Sequence, residues 1–286
     1  MIEGEVVRLD INYSIDMVRL KVEVPVKAFE VLIKSQFDYE PGVKYKSMSS
    51  ISAYRHNFYI EDYDVFGVKC SFWLGASHNS RKQSKDTDVV IEYNPNKCLE
   101  SPILNYLLDN VFRNNKYVEV KSFDLAIDIP CNILDLNISQ SGNMGRRIFD
   151  NGSDDKTYYF RKGKSNGAIK IYNKKRESKL SYELTRYEIT LNPNMYICDM
   201  AAYTVPEDLF VSINCLSEFQ LGVDVKGIDK VLLLACMEHN EYLKELDRRK
   251  RKKIEQLLAE NCSVDFDYKY IYSVILNYFR TIYTSL

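Results

Sequence analysis

Apolar and polar residues alternate through several stretches of the chain, the pattern of half-buried strands. In MVRLKVEV (17–24), Val18, Leu20, Val22 and Val24 fall on one face. NFYIEDYDVFGVKCSFWLG (57–75) reads as a hairpin or meander. TDVVIEYNP (87–95), VEVKSFDLAIDIP (118–130), TYYFRKG (157–163), GAIKIYNKK (167–175) and YELTRYEITLN (182–192) follow with the same period. Gly163-Lys164-Ser165-Asn166-Gly167 is a turn signal between two of them. The period becomes helical over Lys27 to Gln36, behind Pro25, and over Pro102 to Phe112, where positions 103, 104, 107, 108, 111 and 112 are apolar. After Pro193 the pattern is mostly helical, over about 205–213, 226–240, 241–260 and 266–283. These elements predict an α+β fold with a central, mostly antiparallel sheet and flanking helices. The sheet domain spans residues 1–195, and a helical C-terminal region, 196–286, packs on it.

One strand stands out. In KSFDLAIDIP (121–130), Phe123, Leu125, Ile127 and Ile129 point one way, while Asp124, Ala126 and Asp128 point the other. Four residues along a strand are roughly 13 Å, so both carboxylates are not expected to hold one ion directly. One suits a ligand role; the other suits a base, a positive side chain or an outer shell.

Composition narrows the classes. The 286 residues suffice for a real core, and 45% hydrophobic with 28% charged residues is ordinary for a globular chain. With a net charge of −1, an anionic partner must be held by local patches or a bound cation. Cysteines at 70, 98, 131, 198, 215, 236 and 262 form no Cys-x-x-Cys pair, which predicts reduced thiols in a cytoplasm and no zinc site. MIEGEVVRLDINYS lacks an apolar signal core, and the longest apolar run, Val231 to Met237, is too short to span a membrane. Tyrosine is abundant, 22 against one tryptophan, which suits strands and recognition surfaces and equally an AT-rich coding sequence.

No phosphate-binding glycine loop, dinucleotide fingerprint or nucleophile elbow is present. His56, His78 and His239 are too widely spaced for a histidine metal cluster. What remains are three strands with related polar faces: Asp124, Ala126 and Asp128; then Lys170, Tyr172 and Lys174; then Arg186, Glu188 and Thr190. Together they make a kit for phosphodiester chemistry. Carboxylates hold a hard cation, the cation polarises a phosphate, a tyrosine hydroxyl attacks it, and Lys or Arg neutralises the charge. Ordinary cross-strand decoration of a solvated sheet face accounts for the same residues.

FDLAID, TYYFRKGKSNGAIKIYNKKRE and LTRYEITL, in that order and spacing, resemble the Rep_trans family. These are replication initiators of small rolling-circle plasmids, with related relaxases of conjugative elements and filamentous-phage replication proteins. The family shows an Asp-x-Ala-x-Asp strand, an IRIYDK strand and an Arg-x-Glu strand, and EYNPNK (92–97) is similar to a segment that often precedes them. The resemblance covers roughly residues 15–260, its specific part being 122–191. It implies a sequence-specific single-strand DNA endonuclease and strand transferase that leaves a 5′-phosphotyrosyl enzyme and a free 3′-OH. Carried over by position, Tyr172 is the nucleophile, Lys174 and Arg186 contact the phosphate, and Asp124, Asp128 and Glu188 bind Mg²⁺ or Mn²⁺. Ser122, Asn173 and the run YYFRKGKS depart from the family pattern, and Tyr158 and Tyr159 stay open as nucleophiles.

Phosphate contacts must then be local. Arg161, Lys162, Lys164, Lys170, Lys175 and Arg176 crowd the proposed site, and the loops RHNFY and SHNSRKQSK (77–85) are further places. Arg248 and Arg249 belong to DRRKRKK (247–253), which interrupts a helix with the stripe Leu243, Leu246, Ile254, Leu257 and Leu258. That run suits DNA-backbone binding or a solvated helix face. The expected partner is origin DNA, single-stranded or cruciform at the nick site, with no membrane. The resemblance adds a homodimer and a host helicase, to which no residue points. The alternatives are a non-catalytic origin-binding or regulatory relative, and an unrelated α+β protein with a decorated sheet.

Overall fold

The computed structural model describes residues 9–37, 44–47, 54, 56–63, 66–78, 86–98, 100–139, 146–150, 156–161, 167–215, 225–239 and 242–284. Strand β1 (Asn12–Pro25) buries Val18, Leu20 and Val22 and leaves Arg19 and Glu23 exposed, as its alternation requires. Helix α1 (Val26–Phe37) begins directly behind Pro25. Then come β2 (Lys44–Ser47), β3 (His56–Tyr63), β4 (Lys69–His78), β5 (Asp86–Tyr93) and the short α2 (Pro95–Cys98). Helix α3 (Pro102–Leu107) has Pro in its first turn and Ser101 as N-cap, whose hydroxyl accepts from Leu104 N–H. It runs on into a π-helical turn, Leu108–Phe112.

Strands β6 (Glu119–Ile129), β7 (Leu136–Ser139), β8 (Arg146–Asp150), β9 (Lys156–Phe160) and β10 (Ala168–Asn173) are followed by helix α4 (Lys174–Ser178). After β11 (Thr185–Leu191), β12 (Met195–Tyr196) and β13 (Ser212–Cys215), the chain ends in α5 (Ile228–Glu238), α6 (Tyr242–Glu245), α7 (Arg248–Cys262) and α8 (Tyr268–Arg280). The α+β class with a large antiparallel sheet is as the sequence predicts.

The chain forms two compact units that follow no single cut in the sequence, and β6 and β11 contribute residues to both. The first comprises Tyr13–Ala126, Thr190–Val205 and Lys269–Leu286. Its strand order is β2-β3-β4-β5-β1-β6, with β12 paired to β6. Leu20, Leu74 and Ile91, adjacent in register, are wholly buried on one face. Each such side chain contributes about 1.5–3 kcal/mol. Helix α8 closes this core with Ile271, Ile275 and Phe279, the last edge-on to Phe123 at 5.4 Å.

The second unit comprises Met1–Asn12, Ile127–Ile189 and Pro206–Tyr268. Here the order is β6-β11-β10-β9-β8, and β7 pairs antiparallel with β13 as a separate ribbon. Helices α5, α6 and α7 share an apolar cluster of Leu233, Cys236, Leu243, Ile254 and Leu258.

Three expectations are corrected. The helix expected over 205–213 is a single 3-10 turn, Glu207–Leu209, leading into β13. Val211, Ile213, Asn214 and Cys215 are buried there and Ser212 is exposed, so a short paired strand takes the place of a helix. The helix expected over 241–260 breaks between Glu245 and Arg248, where the Asp247 carboxylate accepts from the N–H groups of Arg249 and Lys250 and starts α7. The strand expected over 167–175 stops at Asn173, so Lys174 belongs to a helix.

Candidate active site

Ile169 and Ile171 of β10 are buried, which turns Lys170 and Tyr172 to the other face. The strand ends where the Asn173 side chain accepts from Arg176 N–H at 3.0 Å, capping α4. Lys179, at φ 54°, closes that helix in the left-handed conformation. Strand and helix thus meet without a loop, and Tyr172 is held between cations from each. Lys170 Nζ lies 3.9 Å from its ring centroid and Lys174 Nζ lies 5.8 Å away.

The Tyr172 hydroxyl donates to Glu188 Oε2 at 3.4 Å. This is long for an O–H···O bond, so it aims the hydroxyl more than it stabilises the fold. Tyr172 itself is only 6% exposed. On the same strand as Glu188, Arg186 takes both oxygens of Asp128, Nε to Oδ1 at 2.7 Å and Nη2 to Oδ2 at 2.8 Å. Both residues are buried. Thr185, next along β11, donates to the Cys131 carbonyl at 2.9 Å and ties the end of the strand down.

The structure brings Tyr172, Glu188, Lys170 and Lys174 together and sets Arg186 on Asp128. Asp128 therefore serves a positive side chain, one of the three roles left open for the acid that is not a ligand. Asp124 is half-buried in the part of β6 that belongs to the other unit. Among the described residues, no three His, Cys, Asp or Glu side chains are grouped as a metal site. The donor set fits a hard cation only in part: Glu188 supplies oxygen chemistry, while both Asp128 oxygens are engaged by Arg186.

Register also separates the rival tyrosines. Tyr159 pairs with Lys170 and Tyr158 with Ile171, so Tyr159 shares the face of Tyr172 and Tyr158 lies on the opposite one. Arg161, at φ 52°, has its guanidinium 3.9 Å from Asp208. Lys175 pairs with Glu183, Lys174 with Glu177, and Arg176 is exposed. Arg248 and Arg249 are exposed in the first turn of α7. Lys162, Lys164, Arg55 and residues 79–85 lie outside the described residues; the rest of RHNFY is no loop but the start of β3, and Ser77 and His78 end β4.

Fold and site together define a sheet protein with a cation-flanked tyrosine, and comparison gives that class a context. Over 190 residues the chain is 28% identical to a replication initiation protein of Staphylococcus aureus and 29% identical to a second of the same name and organism. Each match covers 62% of this chain and 56% of the relative, so the chain spans about half the length of the curated relatives it matches. No family model matches. The rolling circle replication initiator protein from Geobacillus stearothermophilus aligns at a TM-score of 0.37 and 16% identity, over 64% of this chain and 74% of that one. The resemblance read from the sequence is borne out: the chain is similar to replication initiation proteins. Among the described residues, no helix is long and apolar enough to cross a membrane.

Proposed function

We propose that the chain initiates rolling-circle replication, or the transfer of a conjugative element, by nicking one strand of origin DNA through Tyr172. The observation that supports this most is the aim of the Tyr172 hydroxyl at Glu188 with two lysines beside the ring. Tyr172 Oη attacks the scissile phosphorus, and the bond from phosphorus to the 3′ oxygen breaks. The products are a 5′-phosphotyrosyl enzyme and a free 3′-OH, with the phenol proton passing towards Glu188 and the leaving 3′ oxygen taking up a proton from solvent. Lys170 and Lys174 offset the charge that gathers on the phosphate. Arg186 acts by fixing Asp128 and the end of β6.

A divalent cation, Mg²⁺ or Mn²⁺, belongs to this reading with Glu188 as a carboxylate ligand, and it would polarise the phosphate. Origin DNA is the proposed partner. A homodimer and a host helicase rest on the resemblance alone. Incubation with a supercoiled plasmid carrying the native origin and Mg²⁺ tests the reading. Nicking with a covalent protein–DNA adduct, lost in Tyr172→Phe, is the expected result; an adduct that survives in Tyr172→Phe overturns the nucleophile. The burial of Tyr172 favours a second reading, an origin-binding relative without catalysis. Specific binding with no nicking by the native protein would establish it.

A further inference from the structure

One row of side chains crosses four strands on the outer face of the unit built on Tyr13–Ala126. Register sets Arg19 opposite Glu92, Glu92 opposite Trp73, and Trp73 opposite Tyr59, on β1, β5, β4 and β3. Directly paired residues share a face at about 4.8 Å per strand, so the row is roughly 14 Å wide. Trp73 is the single tryptophan of the chain. Its six-membered ring lies over Gly75, in space that any side chain there would need: a Cβ on Gly75 would fall 2.5 Å from two ring carbons. Tyr54 meets the ring edge-on at 5.4 Å, and the Arg19 guanidinium carbon stands 5.7 Å from its centroid. Arg19 is held by Glu92, with Nε 2.6 Å from Oε2. Tyr59 is 37% exposed, and its hydroxyl donates to Ser71 Oγ at 2.6 Å.

Three cross-strand pairs offset charge near this row, Arg19 with Glu92, Lys21 with Asp88, and Lys69 with Glu61, while β2 sets Lys46 opposite Tyr59 at its edge. Away from β2, such a face has little charge to offer a phosphate backbone. It offers π surface: two aromatic rings on neighbouring strands and a planar guanidinium, all fixed by their neighbours. Bases stack on aromatics and guanidinium planes presented in this way by an antiparallel sheet. A duplex keeps its base faces hidden, so the ligand that matches is an unpaired base.

We propose that Trp73, Tyr59 and Arg19 form a seat for unpaired bases of single-stranded DNA. Only the identity of the ligand as DNA is taken from the reading of Tyr172; the seat does not require that residue to be a nucleophile. Because stacking supplies the affinity, binding at the seat responds weakly to salt, unlike binding by lysine and arginine runs.

The full chain is titrated with oligothymidylate while the emission of its only tryptophan is followed, and the anisotropy of a dye-labelled copy reports binding anywhere. Emission should be quenched with the same midpoint as the anisotropy. An abasic oligonucleotide of equal length should bind about tenfold more weakly and quench nothing. Tyr59→Ser should weaken binding about tenfold with circular dichroism unchanged, while Tyr59→Phe retains it. Anisotropy that saturates with unchanged emission, equal binding of the abasic strand, or no binding at all overturns the seat. So does quenching by an aromatic-rich peptide in place of the oligonucleotide, which would make the face a protein-docking surface. Nicking activity that persists alongside any of these results separates failure of the seat from failure of the Tyr172 reading.

Discussion

Arg186 and Asp128 form a two-pronged ion pair whose side chains are only 10% and 11% exposed. Removing one partner leaves the other charged, buried and unmatched, which costs about 3–5 kcal/mol. Asp128→Leu should lower stability to urea by that amount. The double substitution Asp128→Leu with Arg186→Met should recover most of it, because two apolar side chains of similar volume need no partner. A double variant as unstable as the single one would mean that the pair is not the source of the loss.

Tyr172→Phe removes one long hydrogen bond and nothing of the ring packing, so the change in stability should stay below about 1 kcal/mol. The covalent adduct with origin DNA should vanish in the same preparation. A cooperative unfolding curve matching that of the native protein is the control that ties the loss to chemistry.

Alkaline pH should destabilise the fold. Burial pushes the Tyr203 phenol up to about 12, raises Tyr93 and Tyr187 further still, and holds Tyr278 well above its ordinary range. Unfolded tyrosines ionise near 10. Between about pH 10 and 12 the unfolded chain therefore sheds protons that the folded chain keeps, and stability falls as pH rises. Urea midpoints measured from neutral pH upwards should decline in that window, and Tyr203→Phe should flatten the decline.

Basic residues crowd the first turns of α7, the end of a helix where positive charge is unfavourable. Their placement there fits contact with a polyanion better than support of the helix. Arg248→Gln with Arg249→Gln should weaken DNA binding alike for any sequence and lower the salt slope of log affinity by about two. An unchanged slope would assign the run to solvent.

The long strands were legible because each repeats its burial rule many times: Val18, Leu20 and Val22 announce β1 without help from the rest of the chain. β13 was not, since four residues show period two only once and its partner β7 is far off in sequence. Alternation puts Lys174 on a strand because it cannot mark where a strand ends, although Asn173 carries the side chain that starts a helix there. The spacing of Asp124 and Asp128 argues against a shared ion, whereas the pairing of Asp128 with Arg186 depends on how the strands align. The same holds for Trp73, whose neighbours Arg19 and Tyr59 are brought to it by cross-strand register alone.

Tyr172 stands on β10, which has β11 on one side and β9 on the other. A DNA strand joined covalently to that residue would transmit any pull from the replication machinery straight into β10. The strand is anchored along both edges by ladders of hydrogen bonds, so a pull along its axis loads many of them at once in shear. Under the proposed chemistry the attachment point would be a mechanical anchor, able to hold the strand's end in place while the rest of the DNA is drawn away.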